Sequence, residues 1–139
     1  MSRFMKVVAW FSLLNGALTL LTPALIYALR HQLVPIAALA ICSVLGIGGL
    51  LGGYYGLKAK AWAFWILTSL YFIQVAEYFS PTAFITFMGP LAIKIGWGWY
   101  SPPSHFNINL LAIAFTVLSF ASAQVLTSRS SGRAKPRAA

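Results

Sequence analysis

Acid is almost missing from this chain: Glu77 is the one acidic residue among 139, against ten Lys and Arg. A single carboxylate cannot furnish the paired acids of a glycosidase. No Ser/His/Asp order, glycine-rich phosphate loop or HExxH spacing stands beside it, so neither an enzyme nor a cofactor is expected. Cysteine is scarce as well. Cys42 stands alone, which excludes an intrachain disulfide, a CxxC redox pair and a thiolate metal centre. Charged residues make up 8% of the chain and hydrophobic ones 60%, where a soluble protein averages about 25% charged.

What the chain has is apolar length. Four runs, 7–29, 33–57, 61–79 and 108–126, carry almost no charge. The first would extend ~34 Å as a helix, enough for a hydrocarbon core of about 30 Å. Arg3 and Lys6 precede it as in a secretory signal, but the run is too long and lacks a clean small-x-small site, so it reads as a retained helix. Pro35 suits the first turn of the second run, and Asn107 suits an N-cap for the fourth. The expected fold is all-α: a polytopic integral membrane protein, a four-helix transmembrane bundle over 1–127 with a short, basic, disordered tail over 128–139.

Residues 81–95 are apolar but short for a span, and Gly89-Pro90 breaks them. Charge decides their placement. With four spans and an inside N-terminus, eight basic residues (Arg3, Lys6, Lys58, Lys60, Arg129, Arg133, Lys135, Arg137) lie inside and two (Arg30, Lys94) outside. A fifth span moves the tail outside and Lys94 inside, and the bias of the positive-inside rule disappears. The segment therefore reads as an interfacial or re-entrant piece on the outer face, between helices 3 and 4. An aromatic anchor of Trp97, Trp99 and Tyr100 follows it. Both termini are expected in the cytoplasm and the bacterial inner membrane is the expected compartment, with the basic tail against anionic lipid at the cytoplasmic face. Nucleic acid is not an expected partner, because the basic residues punctuate apolar runs instead of gathering on one face.

Two packing patterns stand out. Gly48, Gly52 and Gly56, with Gly46, Gly49 and Gly53, make a smooth glycine-zipper seam on the second helix that lets another helix approach closely, either within the chain or from a partner. On the first helix, Ser12, Asn15, Thr19 and Thr22 share one face. In lipid that polar stripe should point inward, as interhelical glue, local back-bonding or the lining of a conduit.

Glu77 falls three residues after Gln74 near the outer end of the third run, at the depth of Arg30, His31, Lys94 and His105. This layer admits three readings: Glu77 paired with Arg30 or Lys94; a proton or cation entry site with Gln74 and Tyr78 as neighbours; or a Glu77, His31, His105 metal site. No short ligand spacing supports the last, so a metal is not expected. The expected function is interaction through helices, as an accessory or assembly subunit or binding partner of a membrane complex, with a membrane-protein partner or homo-oligomer. The alternatives are an oligomeric channel or transporter for ions, protons or a small solute using Glu77, and a membrane immunity or inhibitor protein.

Overall fold

The structure is a computed structural model describing residues 1–31, 33–80, 84–85, 87, 90–100 and 103–133. Helix α1 spans Arg3–Arg30, α2 Ile36–Leu57, α3 Ala61–Ile73 and α4 Leu110–Arg133. Strands β1 (Ala76–Phe79), β2 (Phe84–Ile85), β3 (Lys94–Tyr100) and β4 (Pro103–Asn109) lie between α3 and α4. Three helices, α1, α2 and α4, are long and apolar enough to cross a membrane, and the chain is a membrane protein with a small sheet at one end of its helices.

Local signals set the helix ends. Ser2 Oγ accepts from the Met5 N–H at 3.4 Å and caps α1, which runs unbroken through Pro23. At the end of α2, Ala59 takes a left-handed conformation (φ 54°). Its N–H reaches Gly56 O at 2.9 Å while the Lys60 N–H reaches Tyr55 O at 3.1 Å. That pair of bonds is a Schellman stop, with alanine where glycine is usual.

The helices pack α1 on α2, α2 on α3, α3 on α4 and α4 on α1. Glycine makes the first two contacts close. A Cβ added at Gly16 would lie 2.8 Å from Gly46 O, and one at Gly53 would lie 2.7 Å from Ala9 O, so α1 and α2 meet backbone to backbone. Gly48 and Gly52 instead receive Leu70 and Leu67 of α3, and Gly56 lies between Ala9 and Phe64. The core beyond these contacts contains Met5, Val8, Phe64, Leu67, Tyr71 and Phe115, with Phe11 stacked on Phe115 at 4.0 Å between ring centroids. Polarity runs inside out: Ser12, Asn15, Thr19, Ser119 and Ser122 are buried, while Val7, Trp10, Leu14, Leu21 and Leu25 of α1 are exposed. This is the pattern of a chain solvated by lipid.

The sheet corrects the all-α expectation. Its order is β2-β1-β4-β3 and every pairing is antiparallel. The expected third helix over 61–79 ends at Ile73, because the chain from Ala76 to Phe79 satisfies its backbone by pairing with β4 on one side and β2 on the other. The expected interfacial or re-entrant segment is corrected too: its described residues supply β2 and the start of β3, while 81–83, 86 and 88–89 lie outside the described residues. Trp97 and the residues around it form a strand because Lys94, Gly96 and Gly98 alternate with Ile95 and Trp97, a period of two. Asn107 is a strand residue and does not cap α4; Asn109 takes that role. The disordered tail expected from 128 is corrected over its first residues, since α4 continues past 127 to Arg133. Residues 134–139 lie outside the described residues.

Candidate functional site

Asn109 knits the helices to the sheet. It is buried, and its Oδ1 accepts from the N–H groups of Leu111 (3.1 Å) and Ala112 (3.2 Å), two donors left open at the start of α4. The same oxygen accepts from Ile93 N–H at 3.3 Å, just before β3. The Asn109 N–H donates to Val75 O at 2.8 Å, and the Leu110 N–H donates to Ile93 O at 2.8 Å. One side chain and two backbone bonds therefore hold together the exit of α3, the entry of β3 and the first turn of α4.

The pairing register sorts the sheet into two faces. Glu77 stands opposite Asn107, which stands opposite Gly96; Phe79, His105 and Gly98 form the next row on the same face. Lys94, opposite Asn109, belongs to that face as well. Glu77 Oε2 lies 2.8 Å from Lys94 Nζ, and Asn107 Nδ2 donates to Glu77 Oε1 at 3.4 Å. The glycines matter here, because a Cβ on Gly96 would collide with Asn107 Oδ1 and one on Gly98 would come within 2.7 Å of His105 Nδ1. Bare backbone on β3 lets both side chains of β4 lie flat. On the opposite face, Tyr78, Phe106 and Trp97 make one cross-strand row, and Ala76, Ile108 and Ile95 make another. Ile95 (48%), Trp97 (56%) and Tyr78 (38%) are exposed there.

The outer-layer residues divide accordingly. Among the described residues the ion pair of Glu77 is with Lys94 and not with Arg30. Arg30 and His31 end α1 in exposed positions, His31 with φ 51° and its N–H bonded to Tyr27 O. Gln74 caps α3 and is buried, whereas Tyr78 lies on the face opposite Glu77. His105 stacks near Phe79, with 6.1 Å between ring centroids. Among the described residues no group of three or more His, Cys, Asp or Glu gathers where it could hold a metal ion, so the Glu77, His31, His105 arrangement is not formed. Sequence reasoning missed Asn107 and Asn109 as partners; the alternation of 104–109 was the available signal.

The stripe on α1 forms a buried polar column. Ser12 Oγ donates to Val8 O at 2.7 Å and lies 2.8 Å from the Tyr71 hydroxyl on α3. Since its own proton is committed, Tyr71 is the donor of that interhelical bond. Thr19 donates to Asn15 O and Thr22 to Leu18 O. Within this column Asn15 Oδ1 is buried with no hydrogen-bond partner, as is Ser119 Oγ on α4.

The opposite end of the helices carries an aromatic girdle. Tyr54 packs edge-on to Tyr55 at 5.1 Å between ring centroids, and Tyr55 lies 4.9 Å from Trp62. Lys58 Nζ donates to the Tyr54 hydroxyl at 2.6 Å and sits 4.2 Å above that ring. This hydrogen bond holds the Lys58 ammonium above its ordinary range.

Compared with protein-family models, curated proteins and solved structures, the chain matches none.

Proposed function

We propose that this is a small multi-pass inner-membrane protein, a four-helix transmembrane bundle with both termini in the cytoplasm, that acts by binding another membrane protein as an accessory or assembly subunit. The glycine seam first suggested such contact, yet its glycines meet α1 and α3 of the same chain. The exposed surface left for a partner is on the sheet. One observation carries this reading: in the cross-strand row Tyr78, Phe106, Trp97 the outer members Tyr78 and Trp97 are exposed, as is Ile95 beside them on the same face of the sheet. Aromatic residues are the usual anchors of protein contacts.

Four crossings fit the physical lengths. Helix α3 rises only ~20 Å, and the four residues of β1 add ~13 Å at a strand rise of ~3.3 Å per residue, so together they match a core of about 30 Å. Strand β1 pairs with β4 along its whole length and with β2 at Tyr78 and Phe79, so protein supplies most of the partners that non-helical backbone at membrane depth requires. The eight-to-two partition of basic residues supports the orientation.

A photo-crosslinking amino acid at position 97, with a control at lipid-facing Ile47, tests the reading in intact membranes. A discrete protein adduct from 97, absent from 47 and reduced by Ile95→Ala, is expected. Lipid adducts alone from both positions would overturn it, and an adduct of twice the chain mass would assign the contact to a homo-oligomer.

A second reading, an oligomeric channel or transporter for protons, ions or a small solute, draws on the polar column: Asn15 Oδ1 lacks a donor, and water or a cation would satisfy it. Proton or cation flux in reconstituted vesicles that falls with Asn15→Leu or Glu77→Gln would favour it.

A further inference from the structure

We infer that the basic end of the helices holds one anionic phospholipid headgroup in a specific hollow, bound through Arg129. The hollow, of about 300 Å³, is lined by Met1, Ala59, Leu126, Arg129 and Ser130, and so lies between the start of α1, the α2–α3 turn and the last turns of α4. Its composition is amphiphilic. Leu126 and Met1 supply apolar wall, Arg129 supplies a planar donor fork, and Lys58 and Lys60 flank Ala59 in the adjoining turn. Ser130 Oγ donates to Thr127 O at 2.7 Å, so its proton is committed and Arg129 is the one cationic side chain among the lining residues.

Three observations name the occupant. The first is charge: Arg3, Lys6, Lys58, Lys60 and Arg129 all belong to this end, while Glu77, the sole acid, sits on the sheet at the other. An unbalanced cationic end calls for an anion. The second is depth. Tyr54, Tyr55 and Trp62 form their girdle within two turns of Ala59, and such rings settle where hydrocarbon meets headgroup, so the hollow opens near phosphate level. The third is geometry: arginine binds phosphate oxygens in a bidentate fork, and Leu126 continues the wall toward the apolar core, where the glycerol and first methylenes of a lipid would follow. A free phosphate would use the guanidinium but not the apolar wall. Shape at Ala59 contributes too, since its left-handed turn folds the Lys58–Lys60 backbone around the rim. This inference sharpens the general expectation that basic residues touch anionic lipid, and it stands apart from the sheet contact at the other end of the molecule.

Native mass spectrometry of the full chain in mild detergent tests it, titrating phosphatidylglycerol, phosphatidylcholine and inorganic phosphate separately. One saturable phosphatidylglycerol per chain, favoured over phosphatidylcholine by roughly tenfold, is expected, because both lipids offer a phosphate to the arginine fork but only phosphatidylcholine brings a quaternary ammonium up to the cationic rim of Arg129, Lys58 and Lys60. Arg129→Gln should abolish that preference, and Lys6→Gln, an equal change of charge on a residue outside the hollow, should leave it. Ser130→Trp, which fills the hollow and leaves the charge unchanged, should also abolish it; circular dichroism on each variant verifies the fold. Equal losses from Arg129→Gln and Lys6→Gln would mean diffuse attraction and overturn the site. So would retained binding in Ser130→Trp, or displacement of the lipid by millimolar inorganic phosphate.

Discussion

Lys94 reaches over the whole of strand β4 to place its ammonium 2.8 Å from Glu77 Oε2 on β1. Two strand spacings of about 4.8 Å and a two-residue offset in register separate their backbones, a gap that the long stems of lysine and glutamate span together. The pair is unevenly solvated: the Lys94 side chain is 43% exposed and that of Glu77 13%. Glu77→Gln should therefore reduce stability by about 1 kcal/mol, the upper end of the range for exposed pairs, since the Lys94 end stays solvated while the Glu77 end is largely covered. Thermal unfolding in detergent at low and high salt measures it, and the wild-type advantage should shrink as salt rises. A loss of several kcal/mol would show that the pair does more than clasp three strands.

Asn109 should matter more than the ion pair. Asn109→Ala removes the only side-chain cap of α4 among the bonds described and leaves the Leu111, Ala112 and Ile93 donors to find other acceptors. A loss of about 2 kcal/mol is expected from the lost cap and unsatisfied donors. Asn109→Asp should recover most of it, because either carboxylate oxygen can accept the same bonds. Chemical unfolding of the three proteins side by side gives the ranking.

The two glycine rows of α2 should respond differently to alanine. At Gly53 the new Cβ meets Ala9 O at 2.7 Å, a backbone atom that moves only if α1 moves. At Gly48 it meets Leu70 Cδ1 at 2.8 Å, the end of a side chain that can rotate away. Gly53→Ala should destabilise by ~1–3 kcal/mol and Gly48→Ala by less. Comparable losses would mean that α1 and α2 are free to separate.

Ala59→Gly is expected to stabilise. Alanine in the left-handed region carries a penalty of roughly 1 kcal/mol that glycine avoids, partly offset by the greater freedom of glycine in the unfolded chain. A higher unfolding midpoint checks it.

Tyr71→Phe isolates the interhelical bond to Ser12. Ser12 keeps its bond to Val8 O, so only one donor is lost and the stacked Phe11 and Phe115 rings remain. The cost should be about 0.6 kcal/mol, the average for side-chain bonds between membrane helices.

Much of this fold was readable in the chain, and the misses are instructive. Apolar runs marked α1, α2 and α4 because a helix in lipid must be apolar along its whole length, and no other element produces that pattern from one local segment. The stripe from Ser12 to Thr19 was readable as inward because a helix projects it to one face. The sheet was overlooked for a different reason. In 94–100 and 104–109 the aromatic residues weigh so heavily as interface anchors that their period of two, the actual strand signal, is easily passed over. Residues 76–79 offered no such signal: four residues continue an apolar helix or start a strand equally well, and the choice depends on whether β4 is there to pair with.

The amino-acid sequence by itself determined that this chain dissolves in a membrane, where its three long helices α1, α2 and α4 lie and which end is cationic, since these depend on local hydropathy and on counts of charge. The tertiary structure decided where α3 stops, that Asn109 and not Asn107 caps α4, that Lys94 and not Arg30 meets Glu77, and that the glycine seam is covered from within. Each of those outcomes is a competition between partners distant in sequence, settled by which groups the fold brings within hydrogen-bond or van der Waals reach.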